Sequence, residues 1–265
     1  MELDYAQATD RGRVRDHNED YLGCAIPEVP ERAQTHGWLF VLADGVGGQE
    51  KGEVASRTAV ETLLAEFRSA GRDQPLRSLM PRLVQSANEK VFECGLKEKP
   101  RGAQMATTLV ACALRHDRAV VSHVGDSRCY LIRGGRARSL TRDHTMGSEQ
   151  ERLGLISGRG AAEADTRHVL TRSLGGAMFV GADTAEHMVL AGDLLLLCSD
   201  GLHGAISSAE MAEIVARSAE LEAAARELID AANASDGGDN VSVQLIRVRS
   251  VERIGMYRGR PYKLA

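Results

Sequence analysis

Five segments of this chain set acidic residues at the edges of apolar runs. Asp44 closes "LFVLAD" (39–44), Asp126 closes "SHVGD" (122–126), and Asp200 follows "LLLLCS" (194–199). Asp239 directly precedes "NVSVQLIRV" (240–248), and Glu19–Asp20 follow "GRVR" (12–15) near the start. One Asp-Gly at a strand end is ordinary turn chemistry. Several carboxylates gathered at one end of a core would repel one another, and divalent cations would neutralise them. Oxygen donors without a His or Cys pattern suit hard ions such as Mg²⁺ or Mn²⁺. A glycine beside an aspartate lets the backbone come close, so that a carbonyl can also ligate.

The glycines of "DGVGGQEKGE" (44–53) invite a second reading as a phosphate cradle. A dinucleotide turn needs G-x-G-x-x-G, but Glu50 stands at the third glycine position after Gly45 and Gly47. A P-loop needs Lys and Ser/Thr after its last glycine, whereas Glu53 and Val54 follow Gly52. Glu50 and Glu53 would also repel a nucleotide's phosphates. The turn reads better as a device shaping the backbone around Asp44, the plainer alternative being an Asp44 helix cap.

The elements that must position these residues are legible in outline. "WLFVLA" (38–43) and "LLLLC" (194–198) suit strands buried on both faces. "TTLVACAL" (107–114), "AVVSHV" (119–124) and "CYLIRGGRARSL" (129–140) read as a meander of hairpins, and "VSVQLIRV" (241–248) alternates. Val60, Leu63, Leu64 and Phe67 fall at helical spacing, as do Leu79, Leu83, Ala87 and Val91. A second helix pair spans roughly 207–218 and 220–234, with Ser207 and Glu210 as a capping box. This order predicts a layered α+β domain, two antiparallel sheets packed together with helices outside each. "CAIPEVPERAQTHG" (24–37) reads as a surface loop. "SGRGAAEADTRH" (157–168) belongs to an expected flap at about 145–175, and residues 251–265 to a solvated or loosely packed tail.

Composition removes other classes. The formal charge of −4 over 265 residues gives no footprint for nucleic acid. No apolar run reaches the ~18 residues of a membrane span, and the acidic start "MELDYAQATD" is unlike a signal segment. The five cysteines are odd in number and far apart, with no C-x-x-C or H-E-x-x-H, so the reading expects no zinc or disulfide framework and a reducing cytoplasm.

Eight segments in order carry a resemblance: "TDRGRVRDHNED" (9–20), "ADGVGGQEKGEVAS" (43–56), "ATTLVACAL" (106–114), "HVGDSRCYLIR" (123–133), "LTRDHT" (140–145), "VLTRSLG" (169–175), "LLLLCSDGL" (194–202) and "GGDNVSV" (237–243). Together they resemble the protein phosphatase 2C family in its compact bacterial form, metal-dependent serine/threonine phosphatases. The resemblance covers about residues 9–248. It implies a four-layer αββα sandwich in a single catalytic domain, residues 1–250. It implies two core Mn²⁺ or Mg²⁺ ions bridged by Asp44, with the Gly45 carbonyl, Asp200 and Asp239 as further ligands. Glu19 and Asp20 would act mainly through water, Asp126 would hold a third, weaker ion, and Arg15 would grip the substrate phosphate. Gln49, where many relatives have His, and His168, where relatives commonly have Asn, depart from the pattern.

Two divalent ions sharing one carboxylate can lower the pKa of a water they hold, so that it attacks phosphorus in line. A guanidinium suits two phosphate oxygens better than an ammonium does. No cysteine is assigned a nucleophilic role. The proton for the leaving alkoxide is unassigned, with His17, His123, His168 and His203 near the motifs. The partners expected are phosphorylated proteins, a serine/threonine kinase among them, for a monomeric enzyme. Competing readings are another two-metal phosphoesterase, whose sites usually mix histidine among the ligands, and a non-catalytic phosphoprotein binder, which loss of a core aspartate would support.

Overall fold

The computed structural model describes residues 1–46, 51–98, 105–157, 166, 168–252, 254–257 and 260–263, with backbone alone for 98, 254–257 and 260–263. Ten strands form two five-stranded antiparallel sheets. The first contains β1 (Glu2–Asp10), β10 (Val241–Ser250), β9 (Leu194–Cys198), β6 (Arg128–Arg133) and β7 (Arg136–Ser139), in that spatial order. The second contains β2 (Asp20–Ala25), β3 (Trp38–Asp44), β4 (Leu109–Arg115), β5 (Arg118–Val124) and β8 (Asp183–Met188).

The two-residue period of a strand splits each apolar run between two interfaces. From β3, Phe40 and Leu42 face the other sheet, meeting Leu195, Leu197, Cys129 and Ile246. Leu39, Val41 and Ala43 face outward onto α2 (Gly52–Ser69) and α3 (Leu76–Glu98). In β9, Leu194, Leu196 and Cys198 face α6 (Ser208–Arg217) and α7 (Leu221–Ser235). The result is an α/β/β/α sandwich with three apolar layers. That explains why "LFVLA" and "LLLLC" show no alternation. The Ser207–Glu210 capping box closes the start of α6 as expected.

Two expectations need correction. The segments from 107 to 140 are not one meander. β4–β5 is a hairpin of the second sheet and β6–β7 a hairpin of the first, and the chain crosses between sheets at Gly125–Asp126–Ser127. The crossing is possible because Gly125 takes φ +100°, which L side chains rarely adopt. The tail is not a simple loose end: Ile254–Tyr257 and Arg260–Lys263 pair as a two-stranded ribbon. Shorter elements without a sequence signal are α1 (Pro30–Thr35), inside the expected loop, and α4 (Met146–Arg152).

Phe40 is fully buried between the sheets, its ring 5.4 Å from that of Tyr5. Phe40→Ala is expected to cost about 3–5 kcal/mol. Val14→Ala, at a side chain 72% exposed, is expected to change stability by less than about 0.5 kcal/mol. Urea unfolding at fixed metal concentration checks both; equal effects would contradict the layered core.

Candidate metal centre

The ends of both sheets meet in one cleft of about 1260 Å³, lined among others by Arg15, Glu19, Asp44, Gly45, Asp126, His168, Asp200, His203 and Asp239. Asp44 is the last residue of β3 and stands in register opposite Asp20, the first residue of β2. Asp126 sits at the crossing between sheets. Asp200 opens the short helix α5 (Asp200–His203) directly after β9, and Asp239 lies two residues before β10. The structure therefore brings all the acidic segments singled out in the sequence to one place. Asp20 is buried beneath the cleft rather than lining it.

The backbone is locked around these carboxylates. The Asp44 carbonyl accepts from the Thr107 hydroxyl at 2.7 Å and the Thr108 amide at 2.8 Å. The Thr108 hydroxyl accepts from the Asp44 amide at 3.1 Å and meets Ser127 Oγ at 2.7 Å. The buried Asn240 clamps the N-terminal loop: its Oδ1 accepts from the Glu19 amide, and its Nδ2 donates to the carbonyls of Arg11 and His17. Two glycines permit the approach of separate segments. A Cβ at Gly45 would lie 2.5 Å from the Gly52 carbonyl carbon, and one at Gly201 would lie 2.1 Å from the Asn240 oxygen.

The charge is concentrated and poorly offset. Among the described residues, no lysine or arginine forms an ion pair with Asp20, Asp44, Asp126 or Asp200; Arg15 Nη2 donates to Asp239 Oδ2 at 2.9 Å. Burial, then Asp200 and Asp239, push Asp20 up to about 7, although the Ser199 and Ser242 hydroxyls work the other way. Burial, then Asp200 and Asp143, push Asp126 up to about 8. Enclosure and the other four aspartates hold Asp44 well above the usual carboxylate range. Asp200 is raised by burial and by Asp239, and Glu19 by burial and by Glu53.

These residues fit divalent cations. Asp20 Oδ2 accepts from Ser199 Oγ at 2.9 Å, while Asp20 Oδ1 is buried with no hydrogen-bond partner. A buried acceptor left without a partner costs about 1–3 kcal/mol. A cation, reached directly or through water, satisfies that oxygen and the mutual repulsion together.

Residues from 7 to 241 match the family described as Protein phosphatase 2C. The chain belongs to that family. The phosphatase is 35% identical over 255 residues to a serine/threonine phosphatase stp of Listeria innocua, covering 95% of this chain and 96% of that one. It superposes on the PPM Ser-Thr phosphatase MsPP of Mycobacterium smegmatis, solved with cacodylate, with TM-score 0.77 and 35% identity over 92% of this chain and 98% of that one. It also superposes on the catalytic domain of PstP, solved with two manganese ions, with TM-score 0.79 and 31% identity over 94% and 99% of the two chains. It is a serine/threonine phosphatase of the metal-dependent kind, and the four-layer architecture is the one expected.

Some residues of the phosphatase lay beyond sequence reasoning. Arg128 grips Asp143 through two hydrogen bonds, of 2.8 and 2.6 Å, and also donates to Tyr130, so its charge is committed beside Asp126. Both sit in quoted motifs, but nothing in the spacing pairs them. Of the four histidines near motifs, His168 and His203 line the cleft. His203 Nε2 donates to the Asp126 carbonyl at 2.9 Å, and burial lowers it to about 4, so it is neutral at pH 7. His123 instead stacks on His144 and donates to the Arg142 carbonyl. Gln49 and most of the segment 158–167 lie outside the described residues. Cys112 and Arg118 stand six apart, the spacing of a cysteine-phosphatase loop. They occupy opposite strands of the β4–β5 hairpin, however, with Cys112 fully buried between the sheets.

Carboxylates whose folded pKa is raised bind protons that the unfolded chain has released, so stability falls as pH rises towards the folded values. Metal-stripped protein is therefore expected to lose melting temperature between about pH 6.5 and about pH 8. That window lies above the range where His203 adds the opposite slope. Saturating Mg²⁺ should flatten the loss. Calorimetry in chelator checks this; a melting temperature rising across that window would contradict carboxylate repulsion.

Proposed function

We propose that this chain removes phosphate from phosphoserine and phosphothreonine in proteins, with the phosphate seated between Arg15 and the carboxylate cluster. The observation carrying this reading is the convergence of Asp44, Asp126, Asp200 and Asp239 on one cleft, with Asp20 beneath it and Arg15 bonded to Asp239 at its side. Asp44, Asp200, Asp239 and the Gly45 carbonyl would hold two Mn²⁺ or Mg²⁺ ions, with Glu19 and Asp20 acting through water and Asp126 with Asp200 taking a third. Bound there, the ions would supply an acidified water as nucleophile and offset the phosphoryl charge.

The chain's own residues orient and select. Arg15 uses one donor on Asp239, which also raises its pKa and keeps it cationic. The remaining donors of its planar fork can take two phosphate oxygens. The threonine hydroxyls around Asp44 fix its backbone, and Ser127 holds Thr108, so the residue is positioned before substrate arrives. The cleft is open to solvent and roomy enough for a phosphorylated side chain carried on a protein.

The same reading takes residues 1–250 as one catalytic domain acting as a cytoplasmic monomer opposite a serine/threonine kinase, without a nucleic-acid partner. The acidic balance supports it. Among the described residues no helix is long and apolar enough to cross a membrane.

Hydrolysis of a phosphothreonine peptide is expected to need Mn²⁺ or Mg²⁺ and to stop in chelator. Asp44→Asn and Asp239→Asn should each lower kcat by more than about 100-fold, above the 10–100-fold of an outer-shell change. Full turnover by chelated protein would refute the metal assignment. A chain that binds phosphopeptide without turnover under saturating metal would refute catalysis.

Arg15→Lys keeps the charge and loses the fork. We expect both Arg15→Lys and Arg15→Ala to lower kcat/KM, the alanine variant by at least about 10-fold, or ~1.4 kcal/mol. Steady-state kinetics on the same peptide would overturn the role if the alanine variant stayed within about twofold of the parent.

A further inference from the structure

His168 lies at the C-terminal side of the expected flap, in backbone tied to the body of the protein. The Met146 amide donates to the Val169 carbonyl at 2.9 Å, the Thr171 amide donates to the His144 carbonyl at 2.8 Å, and Thr145 bridges Leu170. From this position the His168 ring lines the cleft. One of its nitrogens, an Asp126 oxygen and an Asp200 oxygen all lie within 4.8 Å of one another. The three donors come from three distant segments: the crossing after β5, the start of α5 and the end of the flap. Arg128 stands near Asp126, but its fork is taken up by Asp143. His203 holds the Asp126 backbone through its carbonyl and leaves the carboxylate to the cleft.

We propose that His168 is a nitrogen ligand of the third ion, completing a His–Asp–Asp site with Asp126 and Asp200. This rests on the third-ion reading above and adds a ligand of different chemistry. The core cluster offers oxygen alone. An imidazole is a softer donor, and it favours Mn²⁺ and Co²⁺ over Mg²⁺ more than a carboxylate does. The third site therefore selects its metal differently from the core. Because His168 is carried by the flap's end while Asp126 and Asp200 belong to the sheets, the ion also ties that end to the cleft. The site is open to solvent at His168, so exchange there is easier than in the core.

The test is metal titration calorimetry on the full chain, the Asp126→Ala variant and the His168→Asn variant, each with Mg²⁺ and Co²⁺. Pulsed electron paramagnetic resonance of the Mn²⁺-loaded proteins accompanies it. The wild type should show a weak site beyond the tight ones, and Asp126→Ala should lack it. His168→Asn should bind Co²⁺ at that site at least ~10-fold more weakly, with Mg²⁺ binding within about threefold. An echo modulation from a ¹⁴N ligand should appear in the wild type as the weak site fills and be absent from His168→Asn. An unchanged Co²⁺ affinity, or no nitrogen modulation in the wild type, overturns His168 as a ligand and leaves the third ion standing. A wild type without any weak site overturns the third ion and this proposal together.

Discussion

The constraint on which the rest of this structure depends is the crowding of carboxylates at one end of the sandwich. Asp20, Asp44, Asp126 and Asp200 are enclosed and repel one another, and among the described residues none forms an ion pair with a lysine or arginine, Arg128 beside Asp126 being taken up by Asp143. Such an arrangement opposes folding unless cations neutralise it. Its persistence requires a scaffold that cannot relax by moving the strands apart. The three apolar layers provide this: strands β3 and β9, which deliver Asp44 and Asp200, are almost wholly buried on both faces.

The scaffold sets the detail as well as the position. Asp44 and Asp20 are opposite each other because β2 and β3 pair in that register. Asp126 enters the same cleft because the chain changes sheets there, through a glycine in a conformation that other residues disfavour. Asp239 is placed by its neighbour Asn240, whose amide binds three backbone groups of the N-terminal loop that carries Arg15 and Glu19. Replacing Asn240 would remove three of the bonds that hold that loop at the carboxylate end and leave those from Gly45 and Ser56 to the Glu19 carbonyl.

Much of this was legible in the sequence because the signals were local. An aspartate that ends an apolar run is visible as such, and helical spacing marked the paired helices. The layered class followed from the order of elements. The illegible parts were those set by partners far apart in the chain. The Arg128–Asp143 pair and the Asn240 clamp join residues with no periodic or motif relation. The exposed edge strand β8, "DTAEHM", alternates poorly and carries charge on both faces, so it has no apolar pattern to betray it. The false meander arose because local hairpin signals do not say which sheet a hairpin joins. His168 was visible as a departure from the family pattern and as one of four histidines near the motifs; its distance to Asp126 and Asp200 is a tertiary fact.

The aspartate cluster is read as a holder of divalent ions. The most direct measurement is anomalous diffraction from crystals of the phosphatase soaked in Mn²⁺ and, separately, in chelator. Two strong manganese peaks flanking the Asp44 carboxylate, each within coordinating distance of Asp200 or Asp239 and both lost in chelator, are predicted. An empty cluster at Mn²⁺ concentrations that support full phosphopeptide hydrolysis would contradict this reading.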